Sequence, residues 1–454
     1  MIVVQRAARN GSVAALVEIG VTTLALLVVF RIVVTQASLA IFGVWALAQS
    51  LTSIIRLADV GFAASLSKFI GQIEPEEKRD RVWLYVDTAL AFNIVFYTLL
   101  TIAAYWPACW ALRHNLSAEQ AELGIAIMPL ILINLILSTL QGVLTSALVG
   151  MLRGTGKSVI AIVGAIILLV STASLLPLMG LAGLVLAQTV QFAFGIIVSW
   201  VYLSHAVETG NGVRFRFKAD YTILRETFGI SINLQINNII SALYEIVVKL
   251  ALSRFGGAAS VGLYELADRV MKVGRQIILM PTSLAVPVLA RSLASGRHKA
   301  ASRIFERQIA LTLLTCVLIF GAIAVATPLV SLIVLQRLDP VFFAFTAIVW
   351  ISSCCNALAI PAYLLGVAAG RLRGNYIGNI WILVGALVFA NLGGWLFGPI
   401  GALAGGGASL ASGGLITMLV NGHDFGLRVL PRLRDFRAIR SSAGIRRLLA
   451  PVLR

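Results

Sequence analysis

Six stretches of 25 residues or more contain no Asp, Glu, Lys or Arg: residues 88–112, 123–152, 158–207, 308–336, 340–370 and 374–423. A bilayer-crossing helix needs about 20 apolar residues. Four of the windows therefore accommodate one crossing each. The two 50-residue windows accommodate two each, broken near Pro177-Leu178-Met179-Gly180 and between Gly393-Gly394 and Pro399. Four further apolar segments, 12–34, 39–70, 228–253 and 261–290, carry charged residues in their interiors. The pattern predicts an all-α polytopic membrane protein with 12 transmembrane helices.

The longest hydrophilic internal segment, 206–226, follows the sixth predicted helix and contains Gly210, Gly212 and the basic run Arg214, Arg216, Lys218. It separates an N-terminal lobe over 1–205 (helices 1–6) from a C-terminal lobe over 227–421 (helices 7–12), which a basic tail over 422–454 follows. A shift of 219 residues lays Phe42-Gly43-Val44-Trp45-Ala46-Leu47-Ala48 over Val261-Gly262-Leu263-Tyr264-Glu265-Leu266-Ala267, and Arg56 over Arg275. A shift of 218 pairs Gly11 with Gly229 and Arg31 with Lys249. Charges that align inside membrane helices point to an internal repeat. With an even number of helices per lobe, the two pseudo-symmetric lobes run parallel, related by an axis along the membrane normal.

Composition sharpens the class. With 59% hydrophobic and 12% charged residues and a mean hydropathy of +0.94, the chain is not a soluble globular protein. Its net charge of +17 follows from topology. Of 36 Lys and Arg, 27 fall in the N-terminus, the even-numbered loops and the C-terminus, against only Arg113, Arg254 and Arg337 in the odd-numbered loops. Cytoplasmic loops retain Lys and Arg, so both termini are expected in the cytoplasm, and nucleic-acid binding is not expected. The tail, with eight arginines from Arg428 to Arg454, is expected on the anionic inner surface. The N-terminal apolar run lacks a small-residue cleavage site and reads as a retained first helix.

Little else suggests catalysis. Cys109, Cys316, Cys354 and Cys355 form neither a disulfide framework nor a metal pair, and His114, His205, His298 and His423 lack ligand spacing. Arg153-Gly154-Thr155-Gly156-Lys157-Ser158 ends like a phosphate-binding loop, but the first glycine of that motif would fall at Met151. No metal, cofactor or ATPase domain is expected.

The interior charges carry the functional signal. They concentrate in helices 1, 2, 7 and 8, with Asp87 at the start of helix 3 the main exception. An ionised group at the bilayer centre costs at least ~2.5–3.5 kcal/mol, so these helices are expected to enclose a central polar cavity. In helix 8, Glu265, Asp268, Arg269, Lys272 and Arg275 share one face. Helix 2 repeats the pattern with Gln49, Thr52, Ser53, Arg56 and Asp59; helix 7 adds Asn233, Asn237, Ser241, Glu245 and Lys249. In helix 1, Glu18 and Arg31 share no face. The competing reading is structural pairing, since Arg56–Asp59, Glu245–Lys249, Glu265–Arg269 and Asp268–Lys272 all stand at helical neighbour spacing. Arg275 has no acidic residue at such a spacing. A cationic hydrated groove suits an anionic headgroup, and arginine's planar fork suits phosphate oxygens.

The run Phe42-Gly43-Val44-Trp45-Ala46-Leu47, with Leu57-Ala58-Asp59-Val60-Gly61-Phe62-Ala63-Ala64-Ser65-Leu66 after it, resembles the helix 2 signature of bacterial polysaccharide and O-antigen flippases. These belong to the multidrug/oligosaccharidyl-lipid/polysaccharide exporter superfamily. Tyr264 to Val270, Pro281 and the turn Gly150 to Lys157 are similar to later parts of the same pattern, while Phe42 replaces the usual tyrosine. Twelve helices rather than fourteen make the peptidoglycan-precursor flippase a poorer match.

The resemblance implies a non-enzymatic flippase of the bacterial inner membrane. It would carry an undecaprenyl-pyrophosphate-linked oligosaccharide to the outer leaflet by alternating access. Headgroup binding would fall to Arg56, Lys249, Arg269, Lys272 and Arg275, and ion coupling to Glu18, Asp59, Glu245 or Asp268. Implied partners are the lipid-linked oligosaccharide, membrane lipids and the glycan polymerase or glycosyltransferases of the same pathway. Two other readings compete. A drug or cation exporter would want unpaired carboxylates, and a membrane glycan polymerase or ligase would want a large outer loop with catalytic residues.

Overall fold

The structure is a computed structural model that describes residues 2–57, 62–71, 73, 78–207, 220–295 and 297–429. The chain begins with α1 (Ile2–Gln36), α2 (Leu39–Leu57), α3 (Phe62–Gly71), α4 (Lys78–Asn115), α5 (Ala118–Gly150), α6 (Gly154–Met179) and α7 (Leu181–Ala206). It continues with α8 (Tyr221–Ala294), α9 (His298–Leu335), α10 (Pro340–Ala357), α11 (Ile360–Ala368) and α12 (Arg373–Asp424). Among the described residues no strand occurs. Nine helical runs there are long and apolar enough to cross a bilayer, with α8 and α12 each counted once.

Breaks fall where the local chemistry demands them. Helix α8 is non-helical at Gly257 (φ 69°), and α12 at Phe397 and Gly398 (φ 63°). A left-handed backbone costs an L-residue a Cβ clash that glycine escapes, so each long run is two helical arms hinged at glycine. The break before Pro399 is the one the second 50-residue window predicts; Gly180 (φ 55°) likewise separates α6 from α7. The segment 340–370, expected as one helix, resolves into α10 and α11, with Pro361 in the first turn of α11. Proline fits there because the first turn's N–H groups have no intrahelical acceptor.

The chain divides into two compact units, Met1–Ala242 and Leu243–Arg454. The division falls within the first arm of α8; of the loop 206–226, residues 208–219 lie outside the described residues. In the first unit α1 packs on α6, and α5 packs on α3, α4 and α7. Phe30 of α1 meets Phe42 of α2 with ring centroids 4.6 Å apart, and Phe42 stacks on Trp45 at 5.5 Å. All three rings are buried. The Phe42–Leu47 signature thus serves packing.

In the second unit α10 and α11 pack on α12, and α9 on α10. The two arms of α12 touch through glycine: a Cβ on Gly393 would strike the Gly401 carbonyl, and one on Gly378 would strike Thr417. Small residues allow this approach where lipid supplies no hydrophobic drive between helices. The core continues past the end of α12, because Leu427 is buried with Leu289, Phe305, Leu365 and Met418. The tail beyond it, 430–454, lies outside the described residues. Large apolar side chains face outward on both units, as at Trp106 and Trp395, each 76% exposed. That surface suits lipid, not water.

Candidate functional site

Six charged side chains on the two arms of α8 join in one chain of alternating sign. Lys272 Nζ lies 2.7 Å from Asp268 Oδ2 and donates to Glu245 Oε2 at 2.8 Å. Lys249 Nζ donates to Glu245 Oε1 at 2.8 Å and to Glu265 Oε2 at 2.7 Å. Arg269 Nη2 donates to Glu265 Oε1 at 3.0 Å. Three of these contacts are the i,i+4 pairs that the sequence predicts. The other two, Lys249–Glu265 and Lys272–Glu245, cross from one arm of α8 to the other and depend on the turn at Gly257.

The network is graded in burial. The Lys249 and Glu265 side chains are 3% and 6% exposed, whereas those of Arg269 and Lys272 are 39% and 44% exposed. A buried ion loses several kcal/mol of hydration and is tolerated only when well partnered. Lys249 meets that condition with two carboxylates and Glu265 with two cations. The inner pair is therefore a fixed base, and Arg269 and Lys272 form an accessible edge. Among the described residues Arg269 Nε is buried without a hydrogen-bond acceptor.

Arg275 follows Lys272 by three residues on the same face and is exposed. Among the described residues it makes no ion pair. Its charge is felt by Asp268, Tyr244, Tyr363 and Cys316. Tyr244 donates from its hydroxyl to the Gly406 carbonyl at 3.3 Å, and Tyr363 shares a hydrogen bond with Asn379, which fixes both rings against α12. The sequence reading overlooked both tyrosines and Cys316, whose elements come near Arg275 only in the folded unit. Cys316 shares a hydrogen bond with Cys354 and both thiols are free. Four cations, Lys249, Arg269, Lys272 and Arg275, stand against three carboxylates, Glu245, Glu265 and Asp268. Among the described residues one positive charge is left over, at the accessible end.

The remaining expected residues lie elsewhere or beyond description. Glu18 of α1 accepts from Lys157 Nζ at 3.1 Å and from Ser158 Oγ at 2.8 Å, both near the start of α6. The basic turn that resembles a phosphate-binding loop thus anchors α1. Arg31 is exposed on α1. Gln49 donates to Gln188 Oε1 at 2.9 Å. Arg56 belongs to α2, but its side chain, like those of Ser53, Asn233, Asn237 and Ser241, lies outside what the structure describes; Asp59 lies outside the described residues altogether. A cavity of about 460 Å³ in the first unit, bordered by Gln36, Ile41, Leu123, Leu176 and Leu181, has no charged lining residue. Among the described residues no group of three His, Cys, Asp or Glu is placed to hold a metal.

The sequence profile of a family described as polysaccharide biosynthesis protein matches residues 7–293, which include both arms of α8 and every member of the charged network. The chain belongs to this family. No curated protein matches it by sequence. Three similar solved structures place the fold. An inward-facing multidrug resistance MATE family transporter of the MOP superfamily aligns at TM-score 0.72 and 14% identity, covering 89% of this chain and 94% of that one. The lipid II flippase MurJ, in an inward closed conformation, aligns at 0.63 and 14% identity over 98% and 92%. A MOP superfamily transporter from Pyrococcus furiosus, its binding pocket described as reversed in polarity, aligns at 0.62 and 14% identity over 93% and 96%. At this identity the likeness is one of fold, which the chain shares with these transporters.

Proposed function

We propose that the protein is a flippase of the bacterial inner membrane that moves an undecaprenyl-pyrophosphate-linked oligosaccharide from the cytoplasmic to the outer leaflet. It serves cell-surface polysaccharide or lipopolysaccharide biosynthesis without chemical change to its cargo. Alternating access of two six-helix lobes, with twelve crossings and both termini in the cytoplasm, carries the headgroup while the prenyl tail stays in lipid. The observation that supports this reading best is the accessible cationic edge of Arg269, Lys272 and Arg275 within the family-matched region. Its guanidinium forks match the oxygens of a pyrophosphate diester. Family membership supplies the glycan context, and glycan polymerase or glycosyltransferases of the same pathway are the expected partners.

Export of drugs or organic cations is the second reading, favoured by likeness to the MATE transporter. A cationic cargo calls for a carboxylate without a counter-ion. Each of the three network carboxylates is ion-paired, and the group left over is Arg275. A cell deprived of the protein should lose surface polysaccharide and accumulate its lipid-linked precursor in the cytoplasmic leaflet. Normal surface polysaccharide together with new sensitivity to cationic dyes would favour the exporter.

A further inference from the structure

The charge count at the α8 network says what must happen when an anion arrives. This argument rests on the flippase reading. Among the described residues the site holds four cations and three carboxylates, a surplus of one positive charge. A pyrophosphate diester brings two negative charges, so the occupied site would hold one negative charge too many. Arg56 and Asp59 carry opposite charges, and their participation leaves that sum unchanged. Uncompensated charge away from bulk water is costly, and the ordinary remedy is a change of protonation.

The connectivity selects the group. When Arg269 and Lys272 turn from carboxylates to phosphate oxygens, Glu245 and Glu265 each still hold Lys249. Among the described residues Asp268 is ion-paired with Lys272 alone, and loses it. Around Asp268 stand Lys272, Glu245 and Glu265, the hydroxyls of Tyr244 and Tyr264, and Arg275. Beyond Arg275, the nearby titratable groups on α9 and α11 are Cys316 and Tyr363. The cations in this group would be engaged by the phosphates, and the two glutamates repel a second negative charge.

We infer that Asp268 takes up one proton as the pyrophosphate engages Arg269, Lys272 and Arg275, so that cargo and proton load together. Lys272 Nζ leaves Asp268 Oδ2 for a phosphate oxygen, and the freed carboxylate gains a proton from solvent. One O–H bond forms and no other covalent bond changes. Glu245 stays ionised throughout as the partner of Lys249.

The test is calorimetric titration of the purified full chain with a short-chain prenyl-pyrophosphoryl sugar, a diester that stays fully ionised between about pH 6 and 8. Titrations run in buffers of different ionisation heat. The expected result is uptake of about one proton per ligand, with affinity falling up to about tenfold for each unit rise in pH. Asp268→Asn should remove the proton uptake, flatten the pH dependence and bind more tightly than the parent at the high end. Binding by the parent without proton exchange overturns the inference while leaving the flippase reading intact, and needs no variant to be seen. Affinity that follows sodium concentration instead, or uptake that persists in Asp268→Asn, also overturns it. Absence of binding at every pH overturns the flippase reading and this inference with it.

Discussion

Arg275 and Lys249 lie on neighbouring arms of one helix and have opposite duties. Lys249 is sunk between two carboxylates, so Lys249→Met leaves Glu265 with Arg269 alone and Glu245 with Lys272 alone. Removing one partner of a buried pair costs about 3–5 kcal/mol, and thermal unfolding in detergent should show a loss of that order. Arg275 has no such ties among the described residues. Arg275→Ala should nearly abolish transport and Arg275→Lys impair it substantially, because lysine keeps the charge but loses the bidentate fork; both should unfold at the parent temperature. A large stability loss in Arg275→Ala would instead make it a structural residue. Glu18 differs again, since its bond to Lys157 ties α1 to α6. Glu18→Gln is expected to transport with the parent's pH dependence and lose at most about 1 kcal/mol of stability, the worth of a partly exposed pair. A shifted pH profile would return Glu18 to the coupling machinery.

At the scale of elements, the hinge at Gly257 decides what the sequence could reveal. Neighbour spacing on one helix made Glu245–Lys249, Glu265–Arg269 and Asp268–Lys272 legible, because i,i+4 contacts need only helical geometry. The bridges Lys249–Glu265 and Lys272–Glu245 were not legible: they require knowing how the chain turns between the arms, and no periodicity encodes that. The partners of Glu18 stayed hidden for the same reason, some 140 residues away. Gly257→Ala places a Cβ in the left-handed region at a cost of about 1–2 kcal/mol. It should lower both the unfolding temperature and pyrophosphate affinity, whereas a loss of neither would mean that the hinge does not organise the site. Truncation after Gly426 would strip Leu427 from the core, so the role of the arginine tail is better tested by ending the chain after Val429. That shorter chain is expected to insert and transport like the parent.

Across the whole molecule, the helical membrane fold was legible because charge-free windows leave few alternatives to bilayer-spanning helices. Glycine breaks at Gly180 and Gly398 could be placed from the same windows, since proline and glycine cluster there. The aromatic signature in α2 pointed to the family and proved to be packing, so it carries the fold and says little about cargo. The site reading rests instead on a few charged residues of α8. Proteoliposomes holding a fluorescent undecaprenyl-pyrophosphate oligosaccharide in one leaflet test it most directly. The parent should move the label to the other leaflet and Arg275→Ala should not, with cationic dyes left unmoved by either. Dye export by the parent with no transfer of the lipid-linked oligosaccharide would contradict the account.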